Sequence, residues 1–318
     1  MIITHFTATS SLYLSHECTG LGNILFQIFT CYGISKKFNR VMNYYYLIDY
    51  INKIERCFNL KNHRATIFRN FIKDYDLEKN NLQFIKLDEI CVKEGSSFYS
   101  LYDESLINKI NKHDSSANIL VAGYLQSHRY FDEYRNDIIK LIAPDNDSIN
   151  IISNKYPHLF DKNIINISVH IRLNWGNKHN ATIFFNFDFF YEAINYIKEK
   201  IQNKKNEIII NVFSDDINTV ELKFANLQDK VIYFKDNLDY IDLWSMSLCQ
   251  HNILSNSTLS WWGAYININP DPIIVYPKDV LRIWFGTVKS CYMMEKRCVE
   301  HYKKEWIALD TKNVIYQK

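Results

Sequence analysis

Between residues 163 and 277, short apolar runs alternate with segments whose apolar residues recur every three or four positions. The runs NIINISVHI, EIIINVF, VIYF, HNILSN and PIIVYP predict β-strands, with PIIVYP as the last strand. The segments between them predict helices; in FDFFYEAINYIKEKIQNKK, Phe190, Ala193, Ile197 and Ile201 fall on one helical face. Alternating strands and helices are typical of a parallel sheet with helices on both faces. The second part of the chain, residues 151–318, is therefore predicted to be a doubly wound α/β domain.

Polar residues cluster where these predicted strands end, and ligands of such sheets bind beyond the carboxyl ends of the strands. The residues concerned are His170, Arg172, Ser214, Asp215, Asp216, Ser255, Asn256, Ser257 and Thr258. Ser257 or Thr258 also suits the N-cap of the next helix, and capping alone is an equally good explanation. A helix N-terminus beside Arg172 predicts a phosphate or pyrophosphate site. Asp215 and Asp216 would repel phosphate, so they suit a base or ribose, and the edge is predicted to bind a nucleotide.

The first part of the chain, residues 1–150, carries one clear pattern, HECTGLGNILFQIFTCYGISKK. Gly20 and Gly22 predict a tight turn before a helix that bears Leu25, Phe29 and Tyr32. A dinucleotide fingerprint requires a third glycine at position 25, where this chain has leucine, so a dehydrogenase is disfavoured.

Further along, GYLQSHRYFDEYRNDIIKLI predicts a strand that runs into Gly123 and a helix that begins at about Phe131. The polar stretch 144–148, PDNDS, is typical of a linker between the two domains.

Composition excludes several classes of protein. The 318 residues are 47% apolar and 23% charged, which is typical of a globular protein, and the net charge of +2 gives no basic field for nucleic acid. Seven scattered cysteines without a C-x-x-C pair predict neither a zinc site nor a disulfide framework. No signal peptide or membrane-length apolar run is visible, so a soluble, cytoplasmic protein is expected.

Five blocks, GLGNILFQ, GYLQSHRYF, SVHIR, FSDD and LWSMSLCQHNILSNSTLSWWGAYIN, resemble in that order the motifs of the α-1,2-fucosyltransferases, family 11 of the glycosyltransferases. The resemblance implies a GT-B-like fold, with two Rossmann-type domains that face a cleft. It also implies GDP-fucose as donor substrate, bound mainly by the second domain, a glycan acceptor that often ends in galactose, and no metal or other cofactor. His170 and Arg172 would act in catalysis, and Gly22 and Asn23 would lie near the phosphates and fucose of the donor.

The chain departs from the family where the HxR block continues as a second Arg, then Gly and Asp. Leu173, Asn174 and Trp175 stand at those three positions. Either another group, such as Lys178 or His179, supplies the missing charge, or the donor, the acceptor or the activity has changed. His170, Asp215 and Glu17 are candidates for the general base by residue type alone.

Two other classes of protein remain open. A metal-dependent GT-A enzyme would use D-x-D, and 74–76 (DYD) and 145–147 (DND) match those letters, although solvated loops explain both better. A GDP-sugar or glycan-binding protein without turnover would follow from loss of the second arginine. Another GDP-deoxysugar as donor is also compatible with the sequence.

Overall fold

A computed structural model of the chain describes residues 2–5, 20–43, 66–68, 85–88, 92–94, 97–99, 102–114, 116–123, 125–173, 187–202, 206–278 and 301–309. The chain divides into two compact units. Unit 1 consists of Met1–Ala143 and Val299–Lys303, and unit 2 consists of Pro144–Cys298 and Lys304–Lys318.

Unit 1 contains a four-stranded parallel sheet within the described residues. Its strands are β1 (Ile2–His5), β2 (Met42–Asn43), β3 (Ile85–Asp88) and β6 (Ile119–Ala122), in the order β2-β1-β6-β3. Strands β4 (Val92–Glu94) and β5 (Ser97–Tyr99) form a separate antiparallel pair. The unit's described helices include α1 (Leu21–Lys37), α2 (Glu104–Lys112) and α3 (Arg135–Leu141). Helix α1 is buried along almost its whole length because leucine, isoleucine and phenylalanine dominate its first two turns.

Two sequence predictions for this region need correction. The helix expected from about Phe131 begins only at Arg135, after two 3₁₀ turns at His128–Tyr130 and Asp132–Tyr134. The stretch predicted to be a linker instead starts helix α4 (Asn146–Lys155), because the Asp145 carboxylate accepts a hydrogen bond from the Ser148 amide and caps it. The boundary predicted at residue 150 thus falls inside a helix, whereas the units separate between Ala143 and Pro144.

Unit 2 is built on a six-stranded parallel sheet within the described residues. Its strands are β7 (Ile164–Ile171), β8 (Glu207–Ser214), β9 (Lys230–Phe234), β10 (His251–Ile253), β11 (Ile274–Pro277) and β12 (Ile307–Leu309). The helices are α4, α5 (Phe187–Ile201), α6 (Ile217–Phe224), α7 (Asp239–Leu248) and α8 (Thr258–Tyr265). PIIVYP is not the last strand, since β12 pairs with it from the far end of the chain.

The strand order β12-β11-β10-β7-β8-β9 decides where a ligand binds. From β7 the chain winds outward through β8 and β9, and then returns to the other side of β7 to add β10, β11 and β12. The order therefore reverses between β7 and β10, which is the topological switch point of a doubly wound sheet.

The two faces of this sheet differ in character. On one face, the odd-numbered residues of β7 pack with apolar residues of α5 and α6, including Phe190, Ile197 and Val220, which are all fully buried. On the other face, Asn166, Ser168 and His170 are also buried, and this face is the polar one.

Candidate active site at the switch point

The candidate site lies at the carboxyl end of β7, beside the end of β10. The structure brings His170 of β7 to Ser255, which follows β10: His170 Nδ1 lies 2.9 Å from Ser255 Oγ, and both residues are buried. This contact spans the reversal of strand order, where ligands of doubly wound sheets bind.

His170 is a neutral, fixed side chain rather than an effective proton acceptor. Burial, and secondarily the positive charge of Arg172, lowers the pKa of His170 to about 3 from an ordinary value of 6.5. A general base works best when its pKa lies near the operating pH, so a group of this pKa removes a proton poorly at neutral pH.

Arg172 follows β7 directly, and its side chain is 45% exposed. Its Nε lies 3.2 Å from Oδ2 of Asp215, which follows β8. The other carboxylate oxygen of Asp215, Oδ1, accepts a hydrogen bond of 2.8 Å from the Leu173 amide. The sequence placed Arg172 and Asp215 at opposite ends of a nucleotide, whereas the structure pairs them.

Leu173 stands where the resemblance implies a second arginine, and its half-buried side chain packs against the apolar core of unit 2. The side chain at position 173 therefore points toward the core and not toward the candidate site at the carboxyl end of β7. An arginine side chain here would meet apolar neighbours, which gives a physical reason why residue 173 is not an arginine.

Ser214, the last residue of β8, and Asp216 have a local structural role. The Ser214 hydroxyl accepts a hydrogen bond of 3.1 Å from the Asp216 amide. Asp216 caps α6: its carboxylate accepts from the Thr219 amide at 3.2 Å and from the Thr219 hydroxyl at 2.8 Å. Capping thus accounts for an aspartate at position 216 without any ligand.

The segment after β10 starts α8. Ser257 is the N-cap, and its hydroxyl accepts a hydrogen bond of 3.3 Å from the Leu259 amide. Thr258 is the first helical residue. The Oδ1 atom of Asn256 is buried and has no hydrogen-bond partner among the described residues, so it could accept a hydrogen bond from a bound molecule.

Gly22 and Asn23 lie in unit 1, in the first turn of α1. The tight turn expected before this helix needs no glycine at position 20, because Gly20 has φ −60° and ψ 150°, which other residues also adopt. Asn23 Oδ1 accepts a hydrogen bond of 2.9 Å from Gln126 Nε2. Gln126 belongs to the GYLQSHRYF block, and its spacing in the sequence does not indicate this contact with Asn23.

Several predicted residues lie outside the described part of the chain: Glu17, Asp74, Asp76, Asn174, Trp175, Lys178 and His179. Of the two D-x-D matches, the described one at 145–147 is the start of α4, where Asp145 is the cap. The described residues contain no group of three or more His, Cys, Asp or Glu side chains that could hold a metal ion. None of the described helices has the length and apolarity to cross a membrane.

Known proteins resemble this chain over most of its length. The O-antigen biosynthesis glycosyltransferase WbnK of Escherichia coli is 28% identical over 305 residues, covering 87% of this chain and 96% of that protein. Alpha-1,2-colitosyltransferase of Escherichia coli is 28% identical over 276 residues, covering 80% of this chain and 88% of that protein.

Among solved structures, the NodZ alpha-1,6-fucosyltransferase co-crystallized with GDP matches with a TM-score of 0.50. NodZ comes from Bradyrhizobium, and this match has 14% identity and covers 86% of this chain and 94% of NodZ. At that identity the likeness concerns the fold, which is α/β and GT-B-like. The sequence model of glycosyl transferase family 11 matches residues 98–310, more than half of the chain. The chain therefore belongs to glycosyl transferase family 11.

Proposed function

We propose that this glycosyltransferase transfers L-fucose, with inversion, from GDP-fucose to a hydroxyl group of a glycan, in an α-1,2 linkage to galactose. The observation that carries the donor assignment is the half-exposed Arg172 guanidinium beyond β7, at the reversal of strand order. A cation at this position suits the pyrophosphate of a nucleotide sugar. The NodZ structure co-crystallized with GDP supports guanosine as the nucleoside.

The proposed reaction needs stabilisation of the leaving group more than covalent help from the protein. GDP departs with its new charge on the β-phosphate, and Arg172 together with the amides at the start of α8 would stabilise that charge. The sugar passes through an oxocarbenium-like state while the acceptor hydroxyl attacks its opposite face. His170 would help as a neutral hydrogen-bonding group. Ser214, Asp216, Asn256, Ser257 and Thr258 would complete the part of the donor site that lies in unit 2.

Thermal unfolding with nucleotides tests the donor assignment. A ligand at 100 times its Kd stabilises a protein by about 2.7 kcal/mol. GDP and GDP-fucose are expected to raise Tm, and UDP and UDP-sugars at the same concentrations are not. Equal protection by UDP-sugars would overturn the guanosine assignment.

A transfer assay with galactose-terminated oligosaccharides tests the reaction itself. Fucose should appear on the acceptor, and the rate should be the same with and without EDTA, because the family resemblance implies no metal. Dependence of the rate on added divalent metal would instead favour a metal-dependent transferase. Binding of GDP-fucose without turnover on a broad acceptor panel would favour the non-catalytic alternative, for which Leu173 at the second arginine position is the supporting observation.

A second donor has its own support, because one relative of this chain is named an alpha-1,2-colitosyltransferase. Colitose differs from fucose in lacking the 3-hydroxyl group, so both donors present the same GDP group to Arg172. Competition between GDP-fucose and GDP-colitose in the transfer assay separates them by kcat/KM. A site that hydrogen-bonds the 3-hydroxyl rejects the deoxy analogue strongly, because its polar groups would be left unpaired.

A further inference from the structure

The carboxylate of Asp215 joins the ends of two strands at the candidate site. One oxygen lies 3.2 Å from Arg172 Nε, and the other accepts a 2.8 Å hydrogen bond from the amide of the next residue, Leu173. Among the described residues, no other hydrogen bond or ion pair holds the Arg172 guanidinium. Asp215 is also the more buried partner: its side chain is 18% exposed, against 45% for Arg172.

We propose that Asp215 is a positioning residue that fixes the Arg172 guanidinium for the donor pyrophosphate and does not itself bind the base or ribose. This inference rests on the proposed function, because it assumes that Arg172 binds the pyrophosphate. Asp215 acts through Arg172 and touches no reacting atom.

The geometry of a guanidinium gives the physical reason. The group is planar and carries five N–H donors, so a carboxylate on Nε fixes the plane and leaves the two terminal nitrogens as a fork for two phosphate oxygens. The hydrogen bond from Leu173 holds the carboxylate itself in place, since that amide belongs to the backbone that follows β7. A single arginine held in this way loses less conformational freedom when the anion binds.

Simple electrostatics and a positioning role for Asp215 predict opposite changes in phosphate affinity when its carboxylate is removed. Asp215 is an anion close to the proposed pyrophosphate site, so its removal would strengthen phosphate binding if charge alone mattered. If Asp215 orients Arg172, Asp215→Ala instead weakens binding. A ligand without base or ribose, inorganic pyrophosphate, separates both cases from direct binding of the nucleoside by Asp215.

The experiment is calorimetric titration of GDP, guanosine monophosphate and inorganic pyrophosphate into the wild type and four variants: Asp215→Ala, Asp215→Asn, Arg172→Ala and the Arg172→Ala/Asp215→Ala double variant. Asp215→Ala is expected to weaken binding of GDP and of pyrophosphate by about tenfold each, because ordering an otherwise mobile side chain on binding has about this cost. Asp215→Asn should be intermediate, since its amide oxygen still accepts from Nε but the second acceptor for Leu173 is lost. In the Arg172→Ala background, Asp215→Ala should change affinity by less than about twofold, because the interaction it supports is already absent.

A matched control is Asp229→Ala, which removes an aspartate that pairs with Lys198 at 2.6 Å and has no proposed role in binding. It should leave all three affinities unchanged, and the Tm of every variant shows that it is folded. Unchanged or tighter pyrophosphate binding by Asp215→Ala overturns the inference, as does an equal loss in the presence and absence of Arg172. If the wild type binds neither GDP nor pyrophosphate, the proposed function fails first and the inference fails with it.

Discussion

Arg172 is the residue on which the proposed donor site depends. Arg172→Ala is expected to lower transfer by at least about 100-fold, the typical cost of removing one preorganised donor to a developing charge. Stability should stay within about 0.5 kcal/mol, because the side chain is 45% exposed and supports no core. Arg172→Lys should recover little activity, since a point charge cannot reproduce a forked contact with two oxygens. Initial rates and titration of GDP into each variant measure these effects.

A matched control for this prediction is Lys230→Ala, which breaks an exposed ion pair with Glu207 at 2.9 Å near the amino end of β9. It should leave the rate and GDP affinity at wild-type values. If Arg172→Ala also binds GDP like the wild type, Arg172 is a solvated surface charge and the proposed site is wrong.

Position 173 tests whether the second arginine that the resemblance implies can be introduced into this chain. Because the Leu173 side chain packs against the apolar core, Leu173→Arg forces a guanidinium toward apolar neighbours or displaces the chain after β7. We expect a loss of stability of about 1–3 kcal/mol and no gain in turnover. Urea unfolding and the transfer assay decide this, and a variant with raised turnover and intact stability would show that position 173 can face the donor.

The sequence pattern predicts which residues lie at this site, but it does not predict which of them contact each other. His170, Arg172 and Asp215 were found because parallel strands bring their carboxyl ends to one edge. The pairing of Arg172 with Asp215 was not predicted, since it depends on distances between side chains of two strands that sequence spacing does not fix. The hydrogen bond between Asn23 and Gln126 is not predictable from the sequence for the same reason, since 103 positions separate these residues.

At the scale of elements, Gly33 fixes how closely α1 approaches the turn at His128–Tyr130. A Cβ atom at Gly33 would overlap the carbonyl oxygen of Tyr130 and lie 2.9 Å from the Cα of Phe131. Both obstacles belong to the backbone, so the helix itself must shift. Gly33→Ala should cost about 2 kcal/mol or more of stability, even though alanine favours helix. Thermal or urea unfolding measures the loss.

Gly20→Ser is the matched comparison for this prediction. Gly20 is the N-cap of α1, a Cβ there meets nothing within 4 Å, and its φ of −60° suits any residue. Serine is a good N-cap, so stability should be unchanged or slightly higher. Equal stability of Gly33→Ala and the wild type would mean that α1 and the turn are not in close contact.

The apolar periodicity predicts helices and strands correctly where the pattern of buried positions is regular. It does not predict the elements in which that pattern is irregular. The strands from β7 to β11 and the helices between them lie where the apolar pattern predicts them. Strand β12 was missed because its side chains are only half-buried or exposed, and it is held in place by pairing with the distant β11. Helix α4 was missed because its first residues, NDS, are turn formers that here follow the capping Asp145.

At the scale of the whole molecule, two groups of unit 2, the buried His170 and the half-buried Asp242, give its stability opposite dependences on pH. The folded-state pKa of His170 is lowered to about 3 by burial and by Arg172, so between pH 3 and 6.5 the unfolded chain binds the extra proton. Stability from this group is therefore lost as pH falls below 6.5. Burial also lowers the pKa of His158, which acts in the same direction.

Asp242, on α7, acts in the opposite sense. Its pKa is raised to about 7 from 3.8, mainly by burial and also by the nearby Asp239, while a hydrogen bond from Asn237 and the charge of Lys155 on α4 oppose the rise. Between pH 3.8 and 7 the folded chain holds the extra proton, so stability falls as pH rises through this range. The slopes of His170 and Asp242 thus oppose each other between about pH 4 and 6.5, where one proton is worth about 1.4 kcal/mol per pH unit.

Substituting Asp242 should reveal its contribution to the pH dependence of stability, which the contribution of His170 otherwise offsets. Asp242→Asn keeps an acceptor for the 2.8 Å hydrogen bond from Asn237 Nδ2 but cannot ionise. At pH 8 the variant should be more stable than the wild type by about 4 kcal/mol, because a carboxyl whose pKa is raised from 3.8 to about 7 costs the folded state about 1.4 kcal/mol per pH unit of that shift once it is ionised. The advantage should shrink as pH falls and vanish near pH 4, where the wild-type carboxyl is protonated in the folded state and about half protonated in the unfolded chain. Urea unfolding of both proteins at pH 4, 5, 6, 7 and 8 gives the difference directly, and groups common to both proteins cancel from it. A difference that does not change with pH would mean that Asp242 titrates alike in the folded and unfolded chains and that its burial carries no charge penalty.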